Sequence, residues 1–141
     1  MIKLVFLLLV IGISGMILPQ IYALEALDRV LIGSQRLVNA FGEQVFEHVN
    51  INQQVQIAAV IANGQDKEQP FVYILQIKNA EGHVVAVSTI AGELQPIQSF
   101  IAALSWRPTI SGNYVAEIFV WESLVNADAL TKQIMLEIIV S

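Results

Sequence analysis

Seventeen residues constrain this chain more than any others: Ser105-Trp106-Arg107-Pro108-Thr109-Ile110-Ser111-Gly112-Asn113-Tyr114, running directly into Val115-Ala116-Glu117-Ile118-Phe119-Val120-Trp121. Phe100, Ala102, Leu104 and Trp106 alternate as the inward face of a strand. Pro108 stops that ladder because it has no N–H to donate. Gly112 supplies a turn, and Tyr114, Ala116, Ile118 and Val120 begin a second inward face. A tyrosine just past a Pro/Gly corner, at the mouth of a late strand, pins the connection between two packed sheets. Trp106, Pro108, Gly112 and Tyr114 therefore read as a structural corner. It defines a scaffold and implies no reaction.

The rest of the chain repeats the two-residue period. Val30, Ile32, Ser34, Arg36 and Val38 fit a first strand, Val30 to Val38, although Leu24, Leu27, Val30, Leu31 and Val38 also fit helical spacing. Gly33 and its β-branched neighbours favour the strand. Phe41-Gly42-Glu43 turns. Val55, Ile57, Ala59 and Ile61 form the apolar face of a strand ending at Asn63-Gly64, followed by a polar loop from Gln65 to Pro70. Phe71, Tyr73, Leu75 and Ile77 face one way on the next strand. Asn79-Ala80-Glu81-Gly82 is a tight hairpin with Gly82 at positive φ. His83 to Ile90 returns, Ala91-Gly92-Glu93 turns, and Pro96 breaks the chain again. Leu130 to Val140 closes it, with Ile134, Leu136, Ile138 and Val140 on one side. No internal repeat is evident.

This pattern predicts an all-β fold: an immunoglobulin-like, fibronectin-III-like antiparallel sandwich of about seven strands over residues 24–141. A closed barrel is the alternative. No helical pattern lies between the strands, so parallel crossover units are not expected. The first and last strands are the candidate sheet edges.

Hydrophobic residues make up 55% of the 141 and mean hydropathy is +0.64, part of it concentrated in residues 1–23. Met1-Ile2-Lys3 is a short basic start, Leu4 to Leu18 is apolar or small, and Pro19-Gln20-Ile21-Tyr22-Ala23 is a helix-breaking stretch ending in a small residue. That is the layout of a signal peptide cut after Ala23. The alternative is a retained membrane anchor, with an N-terminal hydrophobic helix. A pilin-type leader is disfavoured because the apolar run starts at Leu4, leaving nothing to remove. On either main reading the domain is extracytoplasmic, and it touches the membrane only through residues 1–23 if they stay attached.

Beyond Ala23 stand twelve acidic and six basic residues, a net charge of −6. That balance excludes nucleic acid as a partner, since no basic stripe exists to neutralise phosphates. It also argues against anionic headgroups. There is no Cys, which rules out disulfides, thiolate chemistry and blue-copper ligation.

His48 and His83 are the histidines. A metal or hydrolytic centre would need further ligands converging on them. Read alone, they are surface imidazoles. Asp66 and Glu68 flank Lys67 in a loop without Ca²⁺-type spacing. Trp121 shares a face with Val115, Glu117 and Phe119, so Phe119 and Trp121 are a candidate contact patch unless the segment Val125 to Leu130 covers them. No catalytic set and no cofactor are expected.

From Asn50 to Ser141 the chain resembles a group of short exported proteins of ammonia-oxidising archaea, built like single fibronectin-III or CARDB-like β-sandwich modules. The resemblance rests on Val49-Asn50-Ile51-Asn52-Gln53-Gln54-Val55-Gln56-Ile57, Gln69-Pro70-Phe71-Val72-Tyr73-Ile74, Ser105-Trp106-Arg107-Pro108, Gly112-Asn113-Tyr114 and Phe119-Val120-Trp121-Glu122-Ser123. It implies an adhesive or spacer module at the cell envelope and carries no catalytic residues. Residues and resemblance together lead to an exported, non-enzymatic module contacting another envelope protein. The alternatives are a membrane-anchored subunit of an envelope complex or filament, and an extracytoplasmic metal-binding or hydrolytic protein using His48 and His83.

Overall fold

A computed structural model describes residues 25–141. The expected export segment, residues 1–23, and the hydrophobic helix expected there lie outside the described residues. Nine strands are present among the described residues: β1 (Val30–Val38), β2 (Gln44–Val45), β3 (His48–Val49), β4 (Val55–Asn63), β5 (Gln69–Lys78), β6 (Val84–Leu94), β7 (Ser99–Trp106), β8 (Gly112–Trp121) and β9 (Ile134–Val140). Seven are long, matching the expected number, and β2 and β3 have two residues each. They form two sheets, ordered β2-β1-β4-β7 and β3-β9-β8-β5-β6. Every long pair is antiparallel, and β3–β9 is the parallel exception. The fold is an all-β sandwich of the immunoglobulin-like kind.

The inward faces follow the period of two. Val55, Ile57, Ala59 and Ile61 from β4 are fully buried, as are Tyr73, Ile77, Ala116, Ile118 and Val120 from β5 and β8. Leu37, Leu94, Leu130 and Ile138 complete the core. Its cohesion is apolar area removed from water, at roughly 25 cal/mol per Å².

Three expectations are corrected. Strand β1 does not keep one phase: its register slips between Gly33 and Arg36, and Ser34 has φ of +54°. The bulge inserts an extra residue, so Leu37, not Arg36, faces the core. Secondly, Ala91-Gly92-Glu93 is strand, not turn, and β6 runs on to Leu94. Gly92 lies opposite Phe71, and a Cβ there would stand 3.3 Å from the Phe71 ring. The glycine makes room for an aromatic and does not bend the chain. Thirdly, the first and last long strands are not open edges, because β2 pairs with β1 and β3 with β9. Smaller shifts are that β5 begins at Gln69 and β9 at Ile134.

The hairpin Asn79-Ala80-Glu81-Gly82 forms as expected, with Gly82 at φ +82°. Asn79 Oδ1 accepts the His83 N–H at 2.9 Å, and Gly82 N–H donates to the Asn79 carbonyl. Asn39-Ala40-Phe41-Gly42 between β1 and β2 uses the same design. Asn39 Oδ1 accepts from the Phe41 and Glu43 N–H groups, and Gly42 has φ +81°. The chain thus does carry a short repeat, Asn-Ala-x-Gly, once in each sheet.

Candidate functional site

Trp106, Pro108, Gly112 and Tyr114 stand together where the chain passes from β7 to β8. Trp106 ends β7, and the chain crosses between sheets through Arg107–Ser111 before β8 starts at Gly112. Tyr114 Oη donates to the Ile110 carbonyl at 2.7 Å, closing the loop on itself. The Trp106 and Tyr114 rings meet edge-on at 5.0 Å. Pro108 is buried, and its carbonyl accepts the Asn52 N–H at 2.7 Å. Arg107 Nε donates to the Asn52 carbonyl. Tyr114→Phe should therefore cost about 1 kcal/mol, read as a lower urea midpoint at unchanged slope.

Phe119 and Trp121 stand on the outer face of the five-stranded sheet, ring centroids 5.9 Å apart. Across the ladder they meet Ile74 and Val72. Both rings are half-buried. The segment expected to cover them, Val125 to Leu130, does not do so: Val125 is 100% exposed, and Leu124 just before it is 63% exposed. Ala129 bridges Trp121 in the plane of the sheet, and Leu130 belongs to the core. Beside the rings, Glu117 is nearly buried. It is held by Lys78 Nζ at 2.7 Å and by Gln133 Nε2 at 2.5 Å.

His48 and His83 are not brought together. His48 lies on β3 with its ring bonded to the Ser141 hydroxyl. His83 precedes β6, at the opposite edge of the same sheet. Four strand spacings separate them, about 19 Å. Among the described residues no three His, Asp or Glu side chains converge as a metal site.

What sequence reasoning missed is the asymmetry between the two sides of the sandwich. On the side of β1 and β9 the segment 39–54 folds over the edges as β2 and β3. The backbone groups of β9 there are bonded: Ile139 N–H to Glu47 and Ser141 N–H to Val49. On the other side β6 and β7 each end their sheet, with no strand beyond them among the described residues. Strand β7 has no charged residue, and β6 has one, Glu93. Val84, Val85, Val87 and Ile101 are 47–59% exposed along these edges. Between them lies a groove of about 270 Å³ lined by Phe71, Ile90 and Phe100. Glu93 hydrogen-bonds Glu68, and the neighbouring carboxyl holds its pKa above the usual range.

One core group is unexplained by this frame. Tyr73 is fully buried, and its hydroxyl has no hydrogen-bond partner. Burial pushes its pKa upward. An unmet buried hydroxyl costs more than a methine of the same shape. Tyr73→Phe should raise stability by about 1 kcal/mol in urea denaturation.

No family model matches the chain, and no curated protein sequence matches it. Solved structures do. The C-terminal domain of wzt is similar at TM-score 0.66 and 13% identity, over 80% of this chain and 74% of that one. A CARDB domain from Pyrococcus furiosus is similar at TM-score 0.54 and 16% identity, over 79% and 94%. A Paenibacillus cycloisomaltooligosaccharide glucanotransferase matches at TM-score 0.57 and 19% identity, but this chain spans 13% of it. At these identities the likeness is one of fold: an immunoglobulin-like β-sandwich, the architecture that the CARDB domain also has.

Proposed function

We propose that this chain is an exported, non-enzymatic module that makes protein–protein contacts at the cell envelope, secreted or held at the outer face of the cytoplasmic membrane by residues 1–23. One observation carries the contact role: the side of the sandwich formed by β6 and β7. Sheet edges in monomers are normally blunted by Lys, Pro or covering chain. Here covering chain is spent on the far side, and the near side offers unpaired backbone groups flanked by apolar side chains. An edge of this kind binds by adding a strand. The rings of Phe119 and Trp121 extend the apolar surface across the outer face of the same sheet. The Leu4–Leu18 run supports export.

Export is tested on the full chain with a C-terminal tag. Protease added to intact cells should digest the tagged domain, and mass spectrometry of the mature chain should find its N-terminus at Leu24. An intact Met1 on a membrane-bound, protease-accessible chain would establish the anchored form. A protease-protected chain in the cytosol would refute the reading.

A further inference from the structure

Asn63-Gly64 is the one Asn-Gly pair in the sequence. An asparagine before glycine readily loses its side-chain amide, because no side chain shields the glycine nitrogen. Both residues are needed where they stand. Asn63 supplies the donor that holds the carbonyls of Lys67, Leu94 and Gln95. Gly64 passes so close to the chain entering β1 that a Cβ would stand 3.1 Å from the Asp28 carbonyl oxygen and 3.6 Å from that of Arg29. Packing therefore sets a labile pair at the end of β4.

The same packing keeps it inert. Loss of the amide needs the Gly64 nitrogen, stripped of its proton, to attack Asn63 Cγ while Nδ2 leaves as ammonia. In the folded chain the Gly64 N–H is committed to the Arg29 carbonyl at 3.0 Å. Nδ2 is tied to three carbonyls, and Oδ1 accepts the Gln65 N–H, so Cγ cannot swing towards the nitrogen. Arg29 is the latch. Its side chain is anchored to the Ala26 carbonyl at 2.8 Å, Asp128 at 2.9 Å and the Ala129 carbonyl at 3.1 Å.

We propose that Asn63-Gly64 is a self-modification site gated by local opening. It stays intact while the chain before β1, the β4–β5 loop and the end of β6 are packed around it, and it reacts when they part. The Gly64 nitrogen then bonds to Cγ, its proton goes to solvent base, and ammonia carries away Nδ2. Water adds to either carbonyl of the resulting cyclic imide and opens it to aspartate or isoaspartate. Neither product restores the lock. Ionised aspartate has no donor for the three carbonyls, and isoaspartate lengthens the backbone by one carbon at the last residue of β4. A domain that has opened and reacted opens more readily afterwards, so a transient event becomes a permanent one.

The test holds the full chain, in mild detergent at mildly alkaline pH, either folded or in urea beyond its transition. Mass spectrometry of the tryptic peptide Leu37–Lys67 follows the site. In urea Asn63 should gain about one mass unit ahead of the Asn-Ala sites at Asn39, Asn79 and Asn126. Folded, its conversion should be at least ~100-fold slower, because the rate follows the open population when reclosing outpaces the chemistry. Arg29→Ala should speed conversion of the folded chain by ~10-fold or more, with the circular dichroism spectrum and the rate in urea unchanged. Should that variant fail to fold, Asp128→Ala, which removes one anchor of the latch, takes its place. Tyr114→Phe, at the opposite end of the sandwich, should leave the folded rate as it is. Wild-type chain converted in urea and then refolded should have a lower urea midpoint than unconverted chain. Equal rates in the folded and unfolded states would overturn the proposal. Equal acceleration by the latch variant and Tyr114→Phe would overturn local gating in favour of global unfolding. An unchanged midpoint after conversion would overturn the permanence of the loss.

Discussion

Asn63→Asp is expected to destabilise the domain by about 3–4 kcal/mol at neutral pH, although the two side chains have the same shape. Asn63 is 2% exposed at the end of β4. Its Nδ2 donates to the carbonyls of Lys67 at 2.7 Å, Gln95 at 3.1 Å and Leu94 at 3.3 Å. Its Oδ1 accepts the Gln65 N–H at 3.0 Å. One side chain thus ties the β4–β5 loop to the end of β6. Aspartate keeps the acceptor and turns the donor into a second negative oxygen aimed at carbonyl oxygens. Burial and those carbonyls favour the protonated acid, so its native pKa lies above its unfolded value. Stability of the variant should therefore recover as pH falls through that native pKa, where the acid donates one bond again. Urea midpoints at pH 7 and pH 4 measure both effects. Equal midpoints for variant and wild type at pH 7 would show that the two loops are held by something else.

Trp106→Ala should cost about 2–3 kcal/mol, less than the 3–5 kcal/mol of a fully buried aromatic. The indole faces inward as its alternation with Ala102 and Leu104 required. But β7 is an edge, and Trp106 stays half-exposed. Its loss also removes the edge-on partner of Tyr114, whose hydroxyl pins the corner. The double variant with Tyr114→Phe should therefore be less destabilised than the sum of the single changes, because the two side chains support one loop. Additive midpoints would show that the rings act independently.

The parts of this fold that rest on the two-residue period could be read from the chain. The inward rows of β4, β5, β8 and β9 were available because each alternates without interruption, and the corner because Pro108, Gly112 and Tyr114 each have one backbone reason to be there. Where the period is locally broken, reading failed. Nothing around Gly33 announces that an extra residue sits before Arg36. Gly92 resembles a turn residue until Phe71, far away in sequence, is seen to need its space. Strands β2 and β3 are too short to show a period at all, so the closure of one side, and with it the identity of the open edges, was invisible. The same holds for Asn63. Followed by Gly64 it reads as a turn, while its weight comes from carbonyls some thirty residues downstream. For the candidate contact patch, alternation placed Phe119 and Trp121 on one face correctly. Whether a loop lies over them depends on side-chain direction in Leu124 and Val125, which no pattern encodes.

The parallel pair of β3 and β9 has a mechanical consequence. Val30 enters the sandwich at one end and Val140 leaves at the other, because β1 and β9 run in the same direction. A pull between the two extremities lies along the strands. Ile139 to Glu47, Ser141 to Val49 and Ile51 to Ser141 are bonded side by side across that line of tension. They must slide together and cannot unzip one after another. A domain so arranged resists stretching through its unfolding rate and not through its equilibrium stability alone, a property suited to a link that bears load.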